Sequence, residues 1–174
     1  MTPVPPPPER LHVVVGVFPG QHEAVVGAAA RLARQFDAEV VCAWVDPSRY
    51  PVARQSDGRV VAAPIDPDSG GETVQEFDPA LRDRLARVLD AAPVAWSVRA
   101  LAGSPAKELA RLADDLEAAL IVVGTRDPGL AASVREFFSG SVAAQLAHRQ
   151  HRPVVVIPLD PVGVVADLPW EGRP

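Results

Sequence analysis

The chain has a single cysteine and no long apolar run, and each scarcity removes a class of protein. With Cys42 alone there is no internal disulfide and no cysteine-rich metal site, which agrees with a reducing compartment. The longest apolar stretches, His12 to Phe18 and Ala119 to Val123, have strand length and fall far short of the roughly 18 residues of a membrane span. Net positive charge is missing too. Seventeen basic against 22 acidic residues leave a formal charge of -5, so neither nucleic acid nor an anionic membrane surface is an expected partner. The first eight residues, Met1 to Pro8, have neither the basic start nor the apolar centre of a signal peptide. A cytoplasmic protein is expected. Lys107, the lone lysine, reflects base composition and points to no function.

What the sequence does contain is a folded domain. Its 174 residues are 48% hydrophobic and 22% charged, enough for one core and too few for two comfortable ones. Valine-rich runs at Leu11 to Phe18, Glu39 to Val45, Val94 to Leu101, Ala119 to Val123 and Pro153 to Ile157 read as buried strands. Between them lie helix-period segments. Ala24, Val25, Ala28, Leu32 and Phe36 share one face of the first, and Leu81, Leu85, Val88 and Leu89 one face of the second. The third carries Leu109, Leu112, Ala113 and Leu116. A fourth spans Ser133 to Arg149, with Val134, Phe138, Val142 and Leu146 inward. Asp78-Pro79 and Ser104-Pro105 are N-caps followed by proline at the first helical position. Alternating strands and helices predict an α/β fold: a doubly wound five-stranded parallel sheet, Rossmann-like, with helices on both faces. Residues 1–10 read as a disordered proline-rich start, 11–159 as the domain and 160–174 as a surface arm. The stretch from Asp46 to Glu76, rich in Pro, Gly, Asp and Ser, reads as a loop excursion with one strand-like run at Arg59 to Ala63.

In such sheets a ligand sits beyond the C-terminal strand ends, where strand order reverses. The segment Ile121-Val-Val-Gly124-Thr125, then Gly129, then Gly140-Ser141-Val142 opening an alanine-rich helix, is a strand, a glycine loop and a helix start. Free N–H groups at such a start attract phosphate, and Ser141 adds a hydroxyl. The alternative is that these glycines only make turns. Other groups carry less. Asp66, Asp68, Glu72 and Glu76 read as a solvated loop rather than a metal cluster. His148 and His151 suit the negative end of a helix better than a metal. Gly140-Ser-Val-Ala-Ala144 lacks the second glycine of a serine nucleophile elbow. Cys42, inside a strand, is a structural thiol.

Five motifs in order resemble a universal stress protein domain: Val14-Val-Gly-Val17, Gly103-Ser-Pro-Ala106, Val122-Val-Gly-Thr125, Gly140-Ser-Val142 and Arg152-Pro-Val-Val-Val-Ile-Pro158. The resemblance covers Leu11 to Leu159. It implies strand order 3-2-1-4-5, a homodimer paired through strand 153–157, an unidentified protein partner, and ATP, with Mg2+, between strands one and four. The site it implies comprises Val17, Phe18, Trp44, Gly124, Thr125, Gly129, Gly140, Ser141 and Val142. Two positions depart from the ATP-binding pattern. Phe18 stands where those members end the first strand in an acidic residue. Asp127 stands at the second glycine of their phosphate loop, with twelve residues instead of nine before Gly140. A carboxylate beside a phosphate at 4 Å costs roughly 4 kcal/mol at an effective dielectric of 20 unless Arg126 or Mg2+ compensates.

Two functions follow: a nucleotide-binding stress regulator whose output is binding and not turnover, or a nucleotide-free dimeric interaction module of the same family. An enzyme is not expected, because no catalytic pair can be assigned; slow incidental ATP hydrolysis is compatible with the first function.

Overall fold

The computed structural model describes residues 10–125 and 142–159. In chain order these form β1 (His12–Val17), α1 (Glu23–Gln35), β2 (Glu39–Asp46), β3 (Arg49–Arg54), β4 (Val60–Pro64), β5 (Thr73–Val74), α2 (Pro79–Leu89), β6 (Trp96–Ala102), α3 (Pro105–Asp115), β7 (Leu120–Gly124), α4 (Val142–Arg149) and β8 (Val154–Ile157). One 3-10 turn, Pro67–Ser69, precedes β5. β6, β2, β1, β7 and β8 make a five-stranded sheet in that order, every neighbour parallel. This is the 3-2-1-4-5 arrangement the resemblance implies.

The valine runs form central strands because β-branched side chains fit a pleated surface and both faces are covered. Alternation divides each strand between two cores. Val13, Val15 and Val17 pack with α1 and α2, while Val14 turns to the opposite core with α3 and α4. In α2 the Asp78 carboxylate accepts the Leu81 N–H at 2.7 Å and Pro79 fills the first turn. Ser104 has the extended backbone of a cap, but its hydroxyl makes no cap bond. α1 is rotated from the expected face: Val25, Val26, Ala28, Ala29, Ala30 and Ala33 are buried, while Ala24 is exposed and Phe36, at the C-cap, is 44% exposed. A helix with alanine in every turn has apolar positions all round, so periodicity alone does not choose a face. In α4 Leu146 is buried; Val134 and Phe138 lie outside the described residues.

The excursion is where the sequence reading fails. Instead of a loop with one strand, it holds a second sheet of three antiparallel strands in the order β3-β4-β5. Val60 and Ala62 are buried, and polar links do the rest. Arg49 Nη2 donates to Ala62 O at 2.6 Å and to Thr73 Oγ1 at 2.8 Å. The Asp46 carboxylate accepts from Ser48 N at 2.9 Å and from Gln75 Nε2 at 3.4 Å. Arg54 pairs with Glu108 on the first turn of α3. Apart from the local Asp46–Ser48 turn, these contacts join residues 13 to 54 apart in sequence, so no local pattern announces them.

Candidate functional site

The site is built where the parallel sheet splits. β1 stays in register with β2 as far as Val17 opposite Trp44, and β7 stays with β8 as far as Gly124 opposite Ile157. The register between β1 and β7 ends earlier, at Val15 opposite Val122. Beyond that pair the two strands part, at the point where strand order reverses.

Parting leaves backbone groups that need partners. β1 leaves through a tight turn in which Gln21 N donates to Phe18 O at 3.1 Å, with Pro19 second and Gly20 third at φ 86°. Proline then glycine at those places is the type II pattern, the positive φ being what glycine supplies. The turn sends the Gln21 side chain back over the end of β1, where Nε2 donates to Gly16 O at 3.1 Å. Gln21 is 6% exposed. Its own carbonyl accepts from Arg84 Nη2 of α2 at 3.0 Å.

On the facing strand, Gly124 is a close-approach position. A Cβ there would lie 2.9 Å from Val25 Cγ2, 3.3 Å from Leu159 Cδ1 and 3.7 Å from Gln21 Nε2. Gln21, Val25, Gly124 and Leu159 therefore floor the split. Thr125 sits above: its N–H continues the ladder to Ile157 O at 2.8 Å, and its Oγ1 accepts the Leu159 N–H at 2.9 Å.

The residues expected from sequence are only partly assembled. Val17 and Trp44 are cross-strand neighbours, but Val17 is 4% exposed within the α1/α2 core, and Trp44 packs edge-on against Phe77 with ring centroids 6.4 Å apart. Phe18 is half-buried in the turn at the mouth of the split. Gly124 and Thr125 stand at the site. Val142 packs against the α3/α4 core. Gly129, Gly140 and Ser141, with Arg126 and Asp127, lie outside the described residues. Gln21, Arg84 and Leu159 were missed. The Pro19-Gly20 turn signal was available for Gln21, since a tight turn after a strand returns the chain over the strand end; nothing local marks the other two.

The polar groups described at the split are hydrogen-bonding groups. A carboxamide, a guanidinium and a hydroxyl surround the split, and among the described residues there no nucleophile stands beside a base. Burial pushes the Cys42 thiol up to about 12, so the side chain is an inert core group. Among the described residues no group of His, Cys, Asp and Glu could hold a metal ion. Asp66 instead accepts from Asp68 N at 3.0 Å and Ser69 Oγ at 3.1 Å, closing its own turn. His148 and His151 are exposed at the end of α4. No helix among the described residues is long and apolar enough to cross a membrane.

The model of the universal stress protein family matches residues 9–158. No curated protein matches the sequence. Solved structures share the fold. A universal stress protein in complex with cAMP is 23% identical, with 87% of this chain covering 99% of that one at a TM-score of 0.56. The universal stress protein from Archaeoglobus fulgidus in complex with dAMP is 20% identical, with 86% and 98% covered and a TM-score of 0.55. A family protein from Arabidopsis thaliana with AMP bound is 14% identical, with 85% and 91% covered and a TM-score of 0.50.

Proposed function

This chain belongs to the universal stress protein family, and on that premise we propose that it is a regulatory, non-enzymatic protein that binds an adenine nucleotide in the split between β1 and β7. The observation that carries this is the early end of the β1–β7 register, which opens the sheet at the crossing of strand order and gathers polar groups there. Three similar folds hold cAMP, dAMP and AMP, whose shared parts are an adenine base and one phosphate. ATP is the form expected from the sequence. Mg2+, where present, would accompany the phosphates of ATP. Gly140 and Ser141 are the sequence-based candidates for phosphate, and Arg84 adds a guanidinium near the mouth. The protein would act in the cytoplasm as a homodimer through 153–157, where β8 is the sheet's outer strand and Val156 is 42% exposed.

A second reading has its own observation. Val25, Leu159 and Gln21 close so tightly over Gly124 that the floor of the split is already filled. That favours a nucleotide-free interaction module if the space above the floor admits no ligand.

Thermal unfolding with and without AMP or Mg-ATP, on protein stripped of carried nucleotide, separates the two. Ligand at about 100 times its dissociation constant adds roughly 2.7 kcal/mol, or about 5 to 10 °C at this chain length. No shift at millimolar ligand would reject the nucleotide proposal.

A further inference from the structure

We infer that the Gln21 carboxamide is the specificity-determining group of the nucleotide site, accepting a hydrogen bond from a donor on the nucleoside; the inference rests on the nucleotide reading above. Gln21 occupies the break between β1 and β7 and is 6% exposed, yet its Oε1 is not among the fully buried unpartnered atoms and so keeps contact with solvent, where a ligand's donor can reach it. Nε2 is accounted for by Gly16 O. No donor from the described residues reaches Oε1. The side chain is fixed by its own bond, by the turn bond from Gln21 N to Phe18 O and by the Arg84 guanidinium on Gln21 O. A group held this firmly loses little freedom when a ligand binds.

The chemistry of Oε1 selects the ligand group. A neutral carbonyl oxygen accepts and does not donate, so it recognises a hydroxyl or an amine and offers nothing to a phosphate oxygen. On a nucleoside the candidates are the two ribose hydroxyls and the exocyclic amine of adenine. Gly124 and the half-buried Leu159 lie next to Gln21 Nε2 and offer the base or sugar an apolar surface.

The test crosses protein and ligand changes. Full-length wild type, Gln21→Met and Gln21→Glu are titrated with AMP, its 2′-deoxy and 3′-deoxy analogues and IMP, after unfolding curves confirm that each protein is folded. Wild type is expected to bind one of the three analogues about fivefold or more weakly than AMP, which identifies the donor. Gln21→Met is expected to bind AMP about fivefold or more weakly and to lose that discrimination, because the penalty of a missing donor vanishes when its acceptor is gone. Gln21→Glu keeps an acceptor but loses the donor to Gly16 O and gains a charge, so it is expected to bind AMP more weakly while keeping the discrimination. If wild type binds AMP and Gln21→Met keeps the same affinity and discrimination, or if wild type does not discriminate at all, the role of Gln21 is overturned while nucleotide binding stands. If wild type binds no nucleotide, both fall.

Discussion

The central strands of the parallel sheet are walled by aliphatic side chains on both faces, with Val13, Val14, Val15, Val40, Ile121 and Val122 fully shielded. The β3–β5 sheet turns Val60 and Ala62 inward but leaves Tyr50 51% exposed on its other side. Val60 joins it to the α3/α4 core, its polar attachments are the Arg54–Glu108 pair and the Gln75–Asp46 bond, and the Arg49 bonds hold its own strands together. Burial of apolar surface is additive and insensitive to single charges, whereas polar links each contribute about 1 kcal/mol net. The comparison teaches that one chain holds two regions of unequal cohesion. The proposed ligand site lies in the firmer one, and the small sheet is expected to open first.

The largest effect should come from the firm region. Ile121→Ala removes a fully buried side chain and is expected to cost about 2–5 kcal/mol, seen as a lower midpoint in denaturant. Cys42, buried in the same sheet with its thiol raised to about 12, gives a second readout: a thiol reagent at pH 8 should label it only on unfolding, and faster in Ile121→Ala. Arg54→Ala comes next. It leaves the Glu108 carboxylate, 8% exposed, without its cation, at an expected cost of about 1–3 kcal/mol. Hydrogen exchange should rise across β3–β5 with Cys42 labelling unchanged, and Glu108→Gln in that background should restore part of the protection. If Arg54→Ala speeds Cys42 labelling as much as Ile121→Ala does, the two sheets unfold as one unit and the comparison breaks.

The smallest effect is at Asp57, in the fully exposed turn between β3 and β4. The backbone N–H of Arg59, and then its guanidinium, hold this carboxyl below the usual carboxylate range. A folded value below the unfolded one means that the contribution is present above the ordinary carboxylate value of about 3.9 and is lost as pH falls through the lower folded value. An NMR titration should place the Asp57 midpoint below that of an unstructured peptide, and Asp57→Asn should leave the unfolding midpoint at pH 7 almost unchanged. A midpoint at the ordinary value would show that the Arg59 contacts do not persist in solution.

What the sequence disclosed follows the same division. β1, β2, β6, β7 and β8 were legible within two residues because a strand buried on both faces must be a short unbroken apolar run. α2 announced itself through Asp78 and Pro79, whose preference for a helix start is local chemistry. β3 was not legible. Pro51 lies inside it, and the register shifts between Pro51 and Ala53, so its alternation is broken exactly where a strand would be sought. The site was half legible. Gly124 and Thr125 stood out because they end a central strand. Gln21 did not, because Phe18 is the residue in line with the strand, while the turn hands the position to a side chain three residues later. Arg84 belongs to a helix 63 residues away, and only the packing of α2 beside α1 brings it there.

The most direct test of nucleotide binding at the sheet split is a two-dimensional NMR titration of the uniformly 15N-labelled protein with AMP. The account predicts saturable shifts of the backbone amides of Phe18, Gly20, Gln21 and Thr125 and of the Gln21 side-chain amide, with the amides of β3–β5 unmoved. Saturation with those resonances unchanged, or no shifts at millimolar AMP, would contradict it.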